Sequence, residues 1–308
     1  MMLRTQAFRQ IRWMALALIG GLALAALLPM GASPLSGAQT GEWRSGGPYP
    51  SGETLPTSLA VLDVEASPDY ASDRTLLAAT VVGLHQSSDG GQSWQRLLPP
   101  EAADEPLVFS HVRFSPAYAA DGAAFAVARN EAGSVLYRLP GAGNAWQPLS
   151  TFTETVTALA ISPAFAEDGT IFAVAGAGVD LLKSTDGGLT WERRPFAAEA
   201  YYNAYQIAVS PAYAADQTLF ITGFGPVYRS TDSGDTWAAL ATSEITYGLA
   251  LSPAFADDQR VWATYRFIEG TGDDTPENSV MRSFDGGNSW LRTATGLPGV
   301  YEPFARVL

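Results

Sequence analysis

The sequence predicts an all-β fold. It is a β-propeller of four-stranded antiparallel blades, either five complete blades plus an incomplete sixth or a closed five-bladed ring. Three observations predict it. An octet, Ser-x-Asp-x-Gly-x-(Ser/Thr)-Trp, stands at Ser87 to Trp94, Ser184 to Trp191, Ser230 to Trp237 and Ser283 to Trp290, with a worn copy from Leu139 to Trp146. Its five Trp residues lie 52, 45, 46 and 53 residues apart. A second motif runs in step with it, from Ser67 to Asp73, Ser115 to Asp121, Ser162 to Asp168, Ser210 to Asp216 and Ser252 to Asp258. Each period of about 47 residues also holds four short apolar segments separated by turns, which is a blade and not a helical solenoid.

Each element follows from its residues. An apolar strand precedes every Ser-Pro, as in Thr157-Ala158-Leu159-Ala160-Ile161. These inner strands start near Ser58, Leu107, Val156, Tyr205 and Ile245. The Ser-Pro-x-aromatic loop makes the first turn, and a second strand follows, such as Thr170 to Ala175 or Thr218 to Thr222. A third strand, such as Asp180 to Lys183, leads into the octet. There Gly91, Gly188, Gly234 and Gly287 supply positive φ at no steric cost. The Ser (87, 184, 230, 283) and Asp (89, 186, 232, 285) side chains accept backbone N–H groups and hold the turn shut. Trp94, Trp191, Trp237 and Trp290 open the fourth strand and bury a large ring. Four carboxylates at one repeated place read as turn braces, not as catalysts or metal ligands.

The ends carry other signals. Arg4, Arg9 and Arg12 precede an apolar run from Trp13 to Leu28, then Pro29 and small residues. Residues 1–38 therefore read as a signal peptide, cleaved after Ala38 or near Ser33. The alternative is an N-terminal membrane anchor, because the run approaches the ~20 residues that span a bilayer. Residues 39–56 read as a linker and outer strand, and 57–308 as the propeller. Glu42-Trp43-Arg44 resembles an outermost strand and Tyr301 to Leu308 an innermost one, so the two ends supply two strands of a sixth blade. That reading implies a propeller truncated at its C-terminus; the rival is a closed ring of five with short tails.

Composition narrows the partners. The formal net charge is −13, the pI is about 4.5 and Lys183 is the only lysine. Cleavage after Ala38 would leave 31 acidic against 15 basic residues. Such a chain lacks the clustered cations that bind nucleic acid or anionic lipid. With no Cys it has neither a disulfide framework nor a Cys-ligated zinc site.

The octet resembles the Asp-box, or BNR, repeat of sialidases, sortilin-type receptors, xyloglucanases and the photosystem II assembly factor of chloroplasts and cyanobacteria. The likeness covers about residues 57 to 297 and lies at the level of the repeat. It implies that the octet forms the turn between the third and fourth strands (C and D). The Ser-Pro loop is then the A–B turn on the same face, and binding is expected on the opposite face, from the D–A and B–C loops. A sialidase-like reading would use three arginines, with Arg113, Arg129 and Arg266 as candidates, but the family's Arg-Ile-Pro motif is absent. An inverting glycosidase needs two acids ~6.5–9.5 Å apart; Glu131 and Asp274 are the nominal pair. A xyloglucanase would need a second propeller.

Two sets of residues stand out from the repeat. Aligned on Ser-Pro, the inner strands carry Asp63, His111, Ala158, Gln206 and Gly248 four residues before the Ser, and Glu65, Arg113, Ala160, Ala208 and Ala250 two before it. The charged members predict an inter-blade pair of Glu65 with Arg113 and of His111 with Asp63, or else a polar cluster at the channel mouth. The D–A and B–C loops carry Tyr201, Tyr202 and Tyr205 beside Glu199 and Asn203, then Arg129, Asn130 and Glu131, and the long segment from Arg266 to Asn278 with Asp273 and Asp274. Tyr301 and Glu302 follow the last octet. Rings beside acids and amides suit a sugar, although acidic loops and rim tyrosines are also ordinary surface. Gly272 to Glu277 offers oxygen ligands for Ca²⁺ without an EF-hand pattern; no other cofactor is expected. The function expected is an exported, non-catalytic scaffold that binds a protein or glycan. A sialidase-like glycoside hydrolase is the alternative, and an assembly factor for an extracytoplasmic complex the second.

Overall fold

The computed structural model describes residues 60–97, 107–141, 145–176, 180–196, 204–240, 245–266 and 278–293. The expected leader and linker, the terminal segments read as a sixth blade, Tyr201, Tyr202, Asp274 and the candidate Ca²⁺ segment lie outside them. The described residues form five four-stranded antiparallel sheets, each wound in chain order. The first holds β1 (Val61–Ala66), β2 (Leu76–Thr80), β3 (Gly83–Ser87) and β4 (Gln95–Leu97). The second holds β5 (Val108–Phe114), β6 (Ala123–Asn130), β7 (Gly133–Pro140) and β8 (Gln147–Phe152). The third holds β9 (Val156–Ile161), β10 (Ile171–Ala175), β11 (Asp180–Ser184) and β12 (Glu192–Pro195). The fourth holds β13 (Ala204–Val209), β14 (Leu219–Gly223), β15 (Tyr228–Ser230) and β16 (Ala238–Ala239). The fifth holds β17 (Ile245–Leu251), β18 (Val261–Arg266), β19 (Asn278–Ser283) and β20 (Leu291–Thr293). Inner strands begin within a residue or so of the expected starts wherever these are described.

Every Ser-Pro loop folds into one helical turn, α1 (Tyr70–Asp73), α2 (Tyr118–Asp121), α3 (Phe165–Asp168), α4 (Tyr213–Asp216) and α5 (Phe255–Asp258). The brace is the same each time. The Ser hydroxyl donates to the Asp six residues on, at 2.5 to 2.7 Å, and that Asp accepts the N–H two residues further. The backbone then ties this turn to the octet of its own blade. Gly90, Gly187, Ser233 and Gly286 donate N–H to the carbonyls of Arg74, Gly169, Gln217 and Gln259. Both turns therefore share one face, as expected.

Blades stack through one repeated rule. Cross-strand partners share a sheet face, and the register aligns Ala160, Phe172, Lys183 and Glu192 across the third sheet. The equivalent rows are Arg113–Phe125–Arg138–Gln147, Ala208–Phe220–Arg229–Ala238 and Ala250–Trp262–Arg282–Leu291. In the second, third and fourth sheets the central aromatic meets the aromatic of the next blade's Ser-Pro turn. Phe125 packs edge-on against Phe165, Phe172 against Tyr213 and Phe220 against Phe255, with centroids 5.3 to 5.7 Å apart. The basic member reaches the fourth position of the next octet. Lys183 Nζ donates to Ser233 Oγ, and Arg229 Nη1 to the Gly286 carbonyl at 2.7 Å. Four apolar layers fill the spaces between successive blades in this way. No comparable packing joins the fifth sheet to the first among the described residues.

Candidate functional site

The octets are structural, and their geometry shows why. Ser184 Oγ donates to Asp186 Oδ1 and accepts the Gly188 N–H at 2.8 Å. Asp186 Oδ1 also accepts the N–H groups of Leu189 and Thr190, and Oδ2 accepts the Thr190 hydroxyl at 2.6 Å. The other three octets repeat the pattern around Asp89, Asp232 and Asp285, except that the N–H groups of Asp235 and Asn288 donate to the main-chain carbonyls of Asp232 and Asp285. The Thr190 hydroxyl, then its N–H, and the Ser184 hydroxyl hold the Asp186 carboxyl down at about 2. Asp285 is held at about 2 by the matching Ser289 and Ser283 groups. Carboxylates so committed are braces and not free acids or bases. Two details depart from expectation. The fourth octet position also has positive φ, at Gly90, Gly187, Ser233 and Gly286. The four octet Trp rings are half-buried and not fully enclosed, whereas Trp146 of the worn copy is buried.

The inner-strand cluster keeps the expected Glu65–Arg113 pair, adds Asp63 as the closer partner of Arg113, and pairs His111 elsewhere. Arg113 Nη1 donates to Asp63 Oδ2 at 2.5 Å, while Glu65 Oε2 stands 3.8 Å from the same nitrogen. Asp63 and Glu65 also accept the backbone N–H groups of Val112 and Phe114 on the next inner strand. Arg113 Nε donates onward to the Leu159 carbonyl at 3.0 Å. His111 pairs with Ser110 Oγ (2.9 Å) and the Thr157 carbonyl (3.1 Å), not with Asp63. Because a carbonyl only accepts, Nε2 carries the proton and Nδ1 accepts from Ser110. Burial pushes His111 down to about 4 and Glu65 up to about 8. Gln206 bridges the fourth and fifth inner strands in the same manner, donating to the Leu249 carbonyl and accepting its N–H. These side chains substitute for the ladder that adjacent inner strands do not form, and so satisfy edges that would otherwise be bare.

A feature the sequence reading missed lies at the other end of the inner strands. Every inner strand carries a β-bulge at one aligned place, five residues before the Ser. The register skips Leu62, Ser110, Thr157, Tyr205 and Tyr247. Bulges re-aim a side chain at a rim. In the fourth and fifth blades the re-aimed residues are Tyr205 and Tyr247, whose rings stack across the boundary, 5.4 Å apart and 19° from parallel. Both are half-buried, and burial pushes the Tyr205 hydroxyl up to about 12. Tyr205 was singled out from sequence; Tyr247 was legible only by counting back from Ser252.

Arg129 is the penultimate residue of β6, opposite Val108 and half-buried, and no side-chain hydrogen bond or ion pair reaches it among the described residues. Burial holds its guanidinium below the usual range, and its charge acts on His111. Glu131 is exposed in the β6–β7 turn, and Arg266 ends β18 opposite Ile245. Tyr205, Tyr247, Arg129 and Arg266 thus belong to the strand ends that carry the D–A and B–C loops. Arg113 lies mid-strand in the inter-blade network. No cluster of three metal-ligating side chains occurs among the described residues.

No family model and no curated protein sequence matches this chain. Solved structures do. An ancestral GH74 enzyme superposes with a TM-score of 0.59 at 20% identity, over 77% of this chain and 31% of that one. The GH74 xyloglucanase from Xanthomonas campestris gives 0.54 at 18% identity, over 75% and 37%. YCF48 bound to D1 peptide gives 0.51 at 18% identity, over 78% and 69%. The chain spans about a third of the length of the GH74 structures it matches. At these identities the likeness establishes the propeller fold.

Proposed function

We propose that this chain is an exported, non-catalytic propeller that binds a protein or a glycan on the face bearing the D–A and B–C loops. The observation that carries the reading is the stacked Tyr205–Tyr247 pair, set at that end of the inner strands by two aligned bulges. Stacked rings offer a flat apolar surface with hydroxyls at its margin, which suits a pyranose face or a peptide side chain. Arg129 adds a half-buried cation at the same end of the second blade. Several of the described acids have structural partners. Asp63 and Glu65 are engaged with Arg113 and the second inner strand, and the octet and Ser-Pro aspartates brace turns. The structural neighbours include glycan-acting enzymes and a peptide-bound protein by their names, and both ligand classes therefore enter the test. The repeat itself is best read as an Asp-box, since the Ser, Asp, Gly and Ser/Thr of each octet hydrogen-bond one another.

The experiment incubates the purified chain with arrayed oligosaccharides and peptides and, in parallel, with a fluorogenic glycoside panel. Binding that falls at least tenfold in Tyr205→Ala, with no glycoside turned over, is expected. Turnover of any glycoside would replace this reading with the hydrolase.

A further inference from the structure

The layer between the fourth and fifth blades differs from the others at one end, and the repeat supplies the control. Thr222 shares a strand face with Phe220, which lies in that layer. Thr246 pairs two residues beyond the partner of Leu249, across the bulge, so it shares the face of Leu249 in the same layer. Both threonines sit at the strand ends that carry the D–A and B–C loops: Thr222 is the penultimate residue of β14 and Thr246 the second of β17. Both are fully buried, and neither hydroxyl has a hydrogen-bond partner among the described residues. Other blades put apolar residues at these places. Ala79, Val127 and Val174 stand where Thr222 does, and Val61, Phe109, Val156 and Ala204 where Thr246 does. Two unpartnered hydroxyls in one layer cost stability that an apolar pair would not. Packing therefore gives no reason for them.

The two hydroxyls adjoin the stacked rings. Thr246 precedes Tyr247, and Thr222 pairs across the sheet with Gln206, the residue after Tyr205. Phe224, just after β14, adds an apolar side chain that is 43% exposed. Burial and then Tyr247 raise the Tyr205 hydroxyl, and no carboxylate or cation is among the groups acting on it. We infer that this end of the layer is a subsite for an uncharged sugar, with Tyr205, Tyr247 and Phe224 against its apolar face and the Thr222 and Thr246 hydroxyls bonding its own. The inference rests on the reading of that face as the binding face and narrows it to one ligand class. A hydroxyl both donates and accepts, so ligand hydroxyls complete a threonine pair, and a pyranose carries them around the rim of an apolar ring face. A charged sugar or side chain would enter without a counter-ion. Both threonine hydroxyls are enclosed, so the sugar engages them by local opening of the strand ends, where opening costs least.

The experiment measures calorimetric binding of cellotetraose, mannotetraose and chitotetraose, with tetragalacturonic acid as the charged probe, to the purified chain and to Thr222→Val, Thr246→Val and Tyr205→Ala. Urea unfolding of each variant runs in parallel. Valine keeps the shape of threonine and restores the apolar type that other blades use. At least one uncharged probe is expected to bind, and to bind at least fivefold more weakly to each valine variant, while both valine variants keep or raise the unfolding midpoint. A lowered midpoint would assign the hydroxyls to the fold and overturn the inference. Unchanged binding in both valine variants with loss in Tyr205→Ala would also overturn it and leave the reading of the face standing. Unchanged binding in Tyr205→Ala as well would remove both. Binding of the charged probe alone, or of no uncharged probe, would overturn the ligand class and with it the inference.

Discussion

The inner-strand cluster makes stability depend on pH in a way that one substitution removes. Glu65 is raised by burial to about 8, from an ordinary value of 4.5. Between those values the folded state holds a proton that the unfolded chain has lost, so stability falls as pH rises. His111 acts oppositely. Its folded value is lowered to about 4 from 6.5, so stability rises across that interval. The two offset each other up to pH 6.5, and from there to pH 8 Glu65 acts nearly alone. One and a half pH units at about 1.4 kcal/mol each gives a loss of about 2 kcal/mol. That is an upper bound, because 23% of the Glu65 side chain reaches the surface and Arg113 stands 3.8 Å away. Urea unfolding followed by tryptophan fluorescence at pH 6.5 and pH 8 measures it. Glu65→Gln keeps an acceptor for the Phe114 N–H and should flatten the profile. A wild-type profile already flat over that window, or an unchanged fall in Glu65→Gln, would refute the reasoning.

Three further outcomes follow from packing. Phe172→Ala removes a fully buried ring from the layer between the third and fourth blades, and should cost about 3–5 kcal/mol in urea unfolding. Trp191→Ala should cost less, about 2–3 kcal/mol, because the ring is half-buried against Phe152 and loses only the bonds from Nε1 to Ser150 Oγ and the Gly188 carbonyl. Gly188→Ala should lower the midpoint as well: φ is +94° and a Cβ would stand 2.9 Å from Leu149 Cδ2.

Much of the fold was legible because the repeat encodes turns, and turn chemistry is local. Ser184, Asp186, Gly188 and Thr190 find one another within a single turn, so their spacing alone fixes what they do. The inner-strand pairing was legible only in part: Glu65 does face Arg113, but Asp63 stands closer to it. Asp63 and Glu65 share one strand, and which of them meets Arg113 depends on the stagger between two sheets. Tyr247 was missed for a related reason. A bulge is a relation between two strands, and nothing at Tyr247 itself announces it. The half-burial of the octet Trp rings likewise follows from how far neighbouring blades overlap, which the period does not specify.

The central claim is that the chain binds through the D–A and B–C face. It is tested most directly by titrating one ligand taken from the arrays against two variants. Tyr205→Ala alters that face, and Leu189→Ala alters the octet face, where the side chain is 64% exposed. The account predicts at least tenfold weaker binding for Tyr205→Ala and unchanged binding for Leu189→Ala. The reverse pattern would place the ligand on the octet face and contradict the account.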